Sequence, residues 1–226
     1  MNQPLVSCIC ITNNRQALLL KSMECFRQQD YPNLELIISY PENDQATKSL
    51  VQESSIRNVI PLERGNELTL GEARNEAVRK CNGEYVCIWD DDDWHHPERI
   101  SSQIQGLISK KSAGEASVLT RIFLYDNLTG KGYLSFDYTW DGTLLCRKGI
   151  LLQNQYAHRN SGEDTHIIPF LEARKLLVHV SDRPFLYTYV YHGHNTWAHD
   201  HFVFFTERST PLNNSHLLKV QEQLMS

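Results

Sequence analysis

The chain has 226 residues, 41% of them hydrophobic and 22% charged, which is ordinary for a globular domain able to bury a core without disulfide staples. Its 22 Lys and Arg against 27 Asp and Glu leave a net charge of -5, which argues against a nucleic-acid partner held by a basic surface. No apolar run approaches the roughly 20 residues of a membrane helix, and the opening MNQPLVSCICITNNR has neither a basic start nor a cleavage site, so a cytoplasmic protein starting at Met1 is expected, with peripheral membrane contact at most.

Residues 5–12 (LVSCICIT) are an apolar run rich in β-formers, broken by Asn13-Asn14-Arg15, and predict a strand ending in a polar loop. Over 16–28, Leu19, Met23 and Phe26 recur on one helical face until the turn residues Asp30-Tyr31-Pro32-Asn33. A second strand follows at 34–39 (LELIIS), a short helix at 47–54, and a third strand with a proline at 58–62 (NVIPL). Leu70, Ala73, Ala77 and Cys81 keep helical spacing, and Asn82-Gly83 supplies the stop. Residues 85–89 (YVCIW) then form a buried strand that runs straight into Asp90-Asp91-Asp92-Asp93, and Ile100, Ile104, Leu107 and Ile108 mark a helix after Pro97. This alternation, continued as far as Lys111, predicts an α/β fold: a mostly parallel central sheet flanked by helices on both faces.

Beyond Ala116 the pattern changes. Residues 117–126 and 132–138 read as two strands joined by Asn127-Leu128-Thr129-Gly130, a small antiparallel excursion. Further strands are expected at 143–146, 176–180 and 185–191, with helices at about 165–173 and 215–224. Nothing resembles a repeat or a linker, so one domain is expected over 1–226, with a change of role near 116 and a tail from about 202. The six cysteines are scattered without a C-x-x-C pair and read as reduced core residues, Cys8 and Cys10 sharing one face of a strand.

Open parallel sheets build their sites beyond the carboxyl ends of the strands. Three polar clusters fall there: Thr12-Asn13-Asn14-Arg15, Tyr40-Pro41-Glu42-Asn43-Asp44 and Asp90-Asp91-Asp92-Asp93. An acidic run is most often a solvated loop, but an apolar strand delivers this one to the sheet edge. Four adjacent carboxylates call for a neutralising cation, and Mg²⁺ or Mn²⁺ prefers such oxygen ligands. Because Mg²⁺ sites use one or two carboxylates and fill up with water and phosphate oxygens, a diphosphate-bearing substrate is the expected partner.

PLVSCICITNNR, LELIIS, LGEARNEAVRKCNGEYVCIWDDDDWHHPERI and GEDTHII, in this order, resemble the inverting family 2 glycosyltransferases of the GT-A fold, over most of the chain from Pro4 to about Trp197. The resemblance rests on Ala73-Arg74-Asn75, Gly83-Glu84-Tyr85, the D-x-D of Asp90 and Asp92 with Asp91 between them, and Glu163-Asp164. It implies a hexosyltransferase-type enzyme that moves a sugar from a nucleotide-diphosphate donor to a glycan or lipid-linked acceptor in bacterial polysaccharide or glycoconjugate synthesis. The donor half would be about 1–115, the acceptor and base half about 116–201. Donor binding would fall to Thr12, Asn13, Arg15, Arg74, Asp90, Asp91, Asn195 and Trp197, and the Mn²⁺ or Mg²⁺ ion to Asp92 with His192. Arg74 has a second reading as an ion pair with the acidic loop. Asp164 would be the general base, although a Gly-Glu-Asp-Thr stretch also suits a helix N-terminus. His95-His96 reads as loop surface beside the metal, a zinc site on His192 and His194 lacks partners, and Trp140 with Asp141 reads as acceptor wall or buried anchor.

One departure stands out. Where the family has D-D-G-S and an aspartate that holds the base, this chain has Tyr40-Pro41-Glu42-Asn43, which leaves Glu42 or Asp44 as substitutes, or Tyr40 as a stacking surface for the base. Two other classes stay open at this point. A phosphatase-like enzyme also starts from a strand running into D-x-D but needs a small hydroxyl residue where Trp94 stands, and a non-catalytic binding domain would have lost the acidic residues kept here.

Overall fold

The computed structural model describes residues 3–109 and 114–225, so Lys111, to which the alternation was read, lies outside the described residues. In chain order the elements begin with β1 (Val6–Ile11), α1 (Gln16–Arg27), β2 (Leu34–Pro41), α2 (Gln45–Glu53), β3 (Val59–Arg64), α3 (Leu70–Lys80), β4 (Tyr85–Ile88), β5 (Trp94–His95) and α4 (Arg99–Ser109). They continue with β6 (Ala116–Leu119), β7 (Phe123–Asp126), β8 (Lys131–Leu134), a 3-10 turn at Asp141–Thr143, β9 (Leu145–Arg147), α5 (Lys148–Gln153) and α6 (Ile167–Ala173). Then come β10 (Leu177–Val180), a second 3-10 turn at Pro184–Leu186, β11 (Tyr187–Tyr191), α7 (His199–Thr206), β12 (Thr210–Pro211) and α8 (Asn214–Met225).

One sheet has the order β10-β6-β9-β4-β1-β2-β3 and is parallel except for β9, which runs antiparallel to both β4 and β6. The period of two in its central strands sorts the core. Cys8 and Cys10 of β1, Leu36, Ile38 and Tyr40 of β2 and Cys87 of β4 pack with Leu19, Met23 and Phe26 of α1 and Ile100 and Ile104 of α4. Ile9, Ile37, Val86 and Ile88 point the other way, toward Ala77 and Val78 of α3, Leu151 of α5 and Leu171 of α6. All six cysteines are free and buried in these layers.

The second sheet, β12-β8-β7-β11-β5, is antiparallel except between β7 and β11. Here the single strand expected over 117–126 is corrected: the chain leaves the first sheet after Leu119 and enters the second at Phe123. The Thr120 amide still bonds to Val180 O of the first sheet, whereas the Ile122 amide bonds to the Ser135 hydroxyl beside β8. The polar pair Thr120-Arg121 sits at the change, but polar residues within an apolar run are equally compatible with one strand that has a solvated face.

Two local features position α3. Thr69 and Glu72 form a capping box, with the Glu72 amide donating to Thr69 Oγ1 at 3.3 Å and the Thr69 amide donating to Glu72 Oε2 at 3.0 Å. Thr69→Ala is expected to lower stability by about 1 kcal/mol, read as a fall of roughly 2–4 °C in thermal midpoint. Gly71, in the first turn, lies where a Cβ would come within 1.9 Å of Ala157 O, so the loop before α6 presses directly on the helix. Any side chain at this position would push that loop away.

Candidate functional site

A cavity of about 310 Å³ opens at the carboxyl ends of β1 and β4, and the acidic run forms its edge. Its four carboxylates differ in their partners, although Asp91 and Asp92 share Arg15. Asp90 faces the Arg74 guanidinium at 3.4 Å, yet burial and the charges of Asp92 and Asp91 push its pKa up to about 6. Asp91 accepts the Thr12 hydroxyl at 2.6 Å and Arg15 Nη1 at 3.2 Å, and burial raises its pKa too. Asp92 Oδ2 meets Arg15 Nη1 at 3.0 Å and His192 Nε2 at 3.2 Å. Asp93 is buried against the Tyr187 hydroxyl and accepts the Val190 amide at 2.8 Å, so it anchors the loop to β11.

Behind this loop stands a cation that sequence reasoning missed. Arg99, 0% exposed, donates through Nη2 to Ile88 O at 2.9 Å and Gly142 O at 3.3 Å, and lies 5.4 Å from the Trp89 ring and 5.0 Å from the Tyr187 ring. Its Nη1 is 2.5 Å from His95 Nδ1, which must therefore accept, leaving His95 Nε2 to donate to Asp90 O at 3.1 Å. Burial and the neighbouring guanidinium hold the His95 pKa well below its ordinary value, so the ring is neutral. This corrects the reading of His95 as loop surface: it is buried and stacked on Trp89. The one available signal was the pair of residues four apart, His95 and Arg99, flanking Pro97.

Across the cavity the Gly71 contact brings the loop before α6 onto α3. Gly162 turns that loop with φ +64, a backbone state that suits glycine, and presents Glu163 and Asp164 to Arg74. Arg74 Nη1 forms a buried ion pair with Glu163 and lies 3.3 Å from Asp164 Oδ2, while Nη2 reaches Asp90. One guanidinium thus ties the end of β4 to the loop before α6, and these carboxylates raise its pKa against the opposing effect of burial. The ion-pair reading of Arg74 is what the geometry displays. The cap reading of Asp164 finds no support, because α6 is capped by His166 without a side-chain bond.

The Thr12 side chain is buried and engaged and Asn13 is exposed and bonded to Asn14, and neither is part of the cavity lining. In the 192–197 loop, the Asn195 carboxamide accepts the His192 amide and donates to Val190 O, both at 2.9 Å, so it staples the loop from within. Arg15 Nη2 fastens the same loop through His194 O at 3.1 Å. Trp197 lines the cavity and stacks on His201 with centroids 4.3 Å apart. Phe202 and Phe205 of α7 line it too, so the 201/202 boundary of the expected tail cuts through a wall of the cavity.

Tyr40 requires a correction. Strand β2 runs on to Pro41, so Tyr40 follows Leu36 and Ile38 into the α1 face and is 1% exposed, out of reach of a stacking base. Asp44 is spent as the cap of α2, accepting from Thr47, Asn14 and Gln16. Glu42, bonded weakly to Asn66 at 3.3 Å, is the exposed carboxylate at this strand end.

Asp92 also lines a second cleft of about 370 Å³ beside α1, and His192 lines this cleft and not the first cavity. One carboxylate with one imidazole in hydrogen-bond contact suits Mn²⁺ or Mg²⁺ as a partial ligand set that phosphate oxygens and water would complete. Among the described residues no group of three or more His, Cys, Asp or Glu is arranged to hold a metal alone.

Asp141, in the turn before β9, shares the cavity with Asp164. Burial and the Asp164 charge push its pKa up to about 7, only partly offset by Arg74. A carboxyl whose folded pKa is raised opposes folding once ionised, so its effect is absent below about pH 4 and complete above about pH 7. Asp141→Asn is expected to be more stable than the native chain at pH 8, on the order of 1–3 kcal/mol with allowance for partial solvation, and equally stable at pH 4. Denaturant melts at the two pH values check the sign.

The family profile described as Glycosyl transferase family 2 matches residues 7–168. A GalNAc(5)-diNAcBac-PP-undecaprenol beta-1,3-glucosyltransferase of Campylobacter jejuni is 32% identical over 118 residues, 51% of this chain and 37% of that protein. The chain therefore spans well under half of that relative's length. Among solved structures, S. aureus TarS 1-349 in complex with UDP-GlcNAc aligns over 85% of this chain and 60% of its own at 16% identity and a TM-score of 0.63. The mannosyltransferase PcManGT of Pyrobaculum calidifontis, in complex with GDP-Man and Mn2+, aligns over 84% and 57% at 17% identity and a TM-score of 0.59. The shared architecture is the GT-A fold, as the resemblance implied. No helix among the described residues is long and apolar enough to cross a membrane.

Proposed function

The chain belongs to glycosyl transferase family 2, and from that membership we propose that it moves a sugar, with inversion, from a nucleotide-diphosphate donor to a hydroxyl of a glycan or lipid-linked acceptor. The observation that carries this reading is the Arg74 bridge, which sets a strand-end carboxylate, Asp90, and a loop carboxylate, Asp164, in one cavity. The donor nucleotide would lie along Thr12, Arg15 and the Asp90-Asp91 edge. Asp164 would accept the proton of the acceptor hydroxyl as its oxygen forms a bond to the anomeric carbon from the face opposite the leaving diphosphate. The C–O bond to the nucleoside diphosphate breaks in the same step, and its electrons leave with the phosphate oxygen.

Asp92 and His192 are the residues that would hold Mn²⁺ or Mg²⁺, which when bound neutralises charge on the leaving diphosphate. Arg15, on the same carboxylate oxygen, is placed to swing toward phosphate. Likeness to the relatives adds two elements to the reading. The Campylobacter enzyme is named for an undecaprenol diphosphate-linked substrate and the TarS structure holds UDP-GlcNAc. Polysaccharide or glycoconjugate assembly on a lipid carrier, with peripheral contact at a membrane, fits both, and residues 1–115 would serve the donor and 116–201 the acceptor.

Nucleotide release from UDP, GDP, TDP and CDP sugars with Mn²⁺, with and without acceptors, tests the proposal, and no turnover of any donor would end it. Asp92→Asn is expected to cut Mn²⁺-stimulated release about 10²-fold or more, by analogy with the loss of one charge-stabilising group. Retention of full Mn²⁺ stimulation would remove Asp92 from the metal site.

A further inference from the structure

One end of the cavity lies beyond the residues proposed above for the donor. Trp197 stacks on His201, His201 meets Phe205 at 4.9 Å, Phe205 meets Trp140 at 4.8 Å, and Trp140 meets Tyr138 at 5.3 Å, all of them lining the same space. Two of these rings are strongly exposed, Trp197 at 43% and Tyr138 at 42%, although they sit in a continuous aromatic wall. Beside the wall stand Asp141 and Asp164, two carboxylates facing one cavity with a single guanidinium, Arg74, shared between Asp164, Glu163 and Asp90.

The chemistry of this end selects its ligand. Ring faces are electron-rich and attract the polarised C–H groups of a flat apolar face, while carboxylates accept hydrogen bonds and repel phosphate. An alkyl chain would satisfy the rings and leave the carboxylates without donors. A phosphate or a phosphorylated acyclic polyol would meet the carboxylates with like charge and offer the rings no flat face. A pyranose satisfies both, with C–H groups on one face and hydroxyls around its rim.

Resting on the transferase reading above, we infer that the acceptor group is a neutral pyranose lying against Trp197 and Tyr138, with Asp141 binding the hydroxyl next to the one that Asp164 deprotonates. The aromatic wall is then the acceptor subsite. Trp197, read from resemblance as a donor residue, belongs by its ring contacts to this wall. The lipid diphosphate of a carrier-linked acceptor would have to lie outside the cavity mouth, away from the carboxylates.

Tryptophan fluorescence of the full chain, titrated with methyl pyranosides of glucose, galactose, N-acetylglucosamine and N-acetylgalactosamine and with ribitol 5-phosphate, with and without UDP and Mn²⁺, tests the inference. At least one pyranoside is expected to bind more tightly than the polyol phosphate. Its affinity should fall at least tenfold in Trp197→Ala, Tyr138→Ala and Asp141→Asn, but not in Leu218→Ala, an exposed position on α8. Thermal melts of each variant identify any that is unfolded, and the exposed Trp197 and Tyr138 changes should both fold. Preference for the polyol phosphate, no pyranoside binding, or binding unaffected by all three variants would overturn it. The transferase reading fails separately, on absent nucleotide release, which would leave a measured pyranoside affinity standing.

Discussion

Asp164→Asn is expected to lower transfer by about 10²- to 10⁴-fold, the range that a positioned general base supplies, while nucleotide-sugar binding is retained. The separation of the two effects follows from the geometry. Asp164 stands on the loop before α6 and reaches the donor-side carboxylate only through Arg74. Asparagine keeps an oxygen for Arg74 and the volume of the side chain, so the loop stays in place, but an amide cannot take the hydroxyl proton. Steady-state kinetics with donor and acceptor varied separately, together with calorimetry of donor binding, check both halves. A parallel loss of donor affinity and of thermal stability would make Asp164 a structural member of the Arg74 cluster. Glu163→Gln offers the contrast, because Glu163 is buried on Arg74 and is expected to act on stability first.

How much of this was legible in the sequence depended on how far each residue's surroundings are set by near neighbours. Strands such as β1 and β4, buried on both faces, show as apolar runs, and the helices between them show period 3.6. The acidic run was legible because a strand delivered it to the sheet edge. In the second half the strands are three to five residues long among 143–191, and the change of sheet between Leu119 and Phe123 is marked only by Thr120-Arg121, a pair that a single half-exposed strand would also carry. Helix α7, HDHFVFFT, is made of residues that favour strands or loops, and packing of Phe202 and Phe205 overrides that preference. Strand β5 is two residues long, too short for any pattern.

At the site the misses have the same origin. Tyr40 follows from counting alternate residues along β2, but only once the strand is known to run to Pro41. The inward turn of His95 and Arg99 depends on Trp89 and Tyr187, and Tyr187 is distant in sequence. The aromatic wall gathers rings from the 138–140 stretch, the 197 loop and α7, whose proximity is a property of the second sheet.

Arg74→Met is expected to destabilise the fold by about 3–5 kcal/mol, the cost of leaving buried charge unpaired, which for a chain of this size means a thermal midpoint lower by roughly 6–20 °C. Methionine fills much of the space, so packing loss is a minor part. The main cost comes from Asp90, Glu163 and Asp164, which lose the one guanidinium in contact with all three. The pH dependence separates charge from packing. Arg74 is a force that lowers the Asp90 pKa, already at about 6 in its presence, so in the variant this carboxyl takes up a proton at still higher pH. Protonation removes the repulsion, and the stability deficit should therefore shrink as the pH falls from 8 to 5. A deficit constant over that range would point to lost packing instead. Arg74→Lys restores the charge without the fork that spans Asp90 on one side and Glu163 and Asp164 on the other. It is expected to recover much of the stability while transfer stays impaired, because a single ammonium cannot hold the donor edge and the base in register.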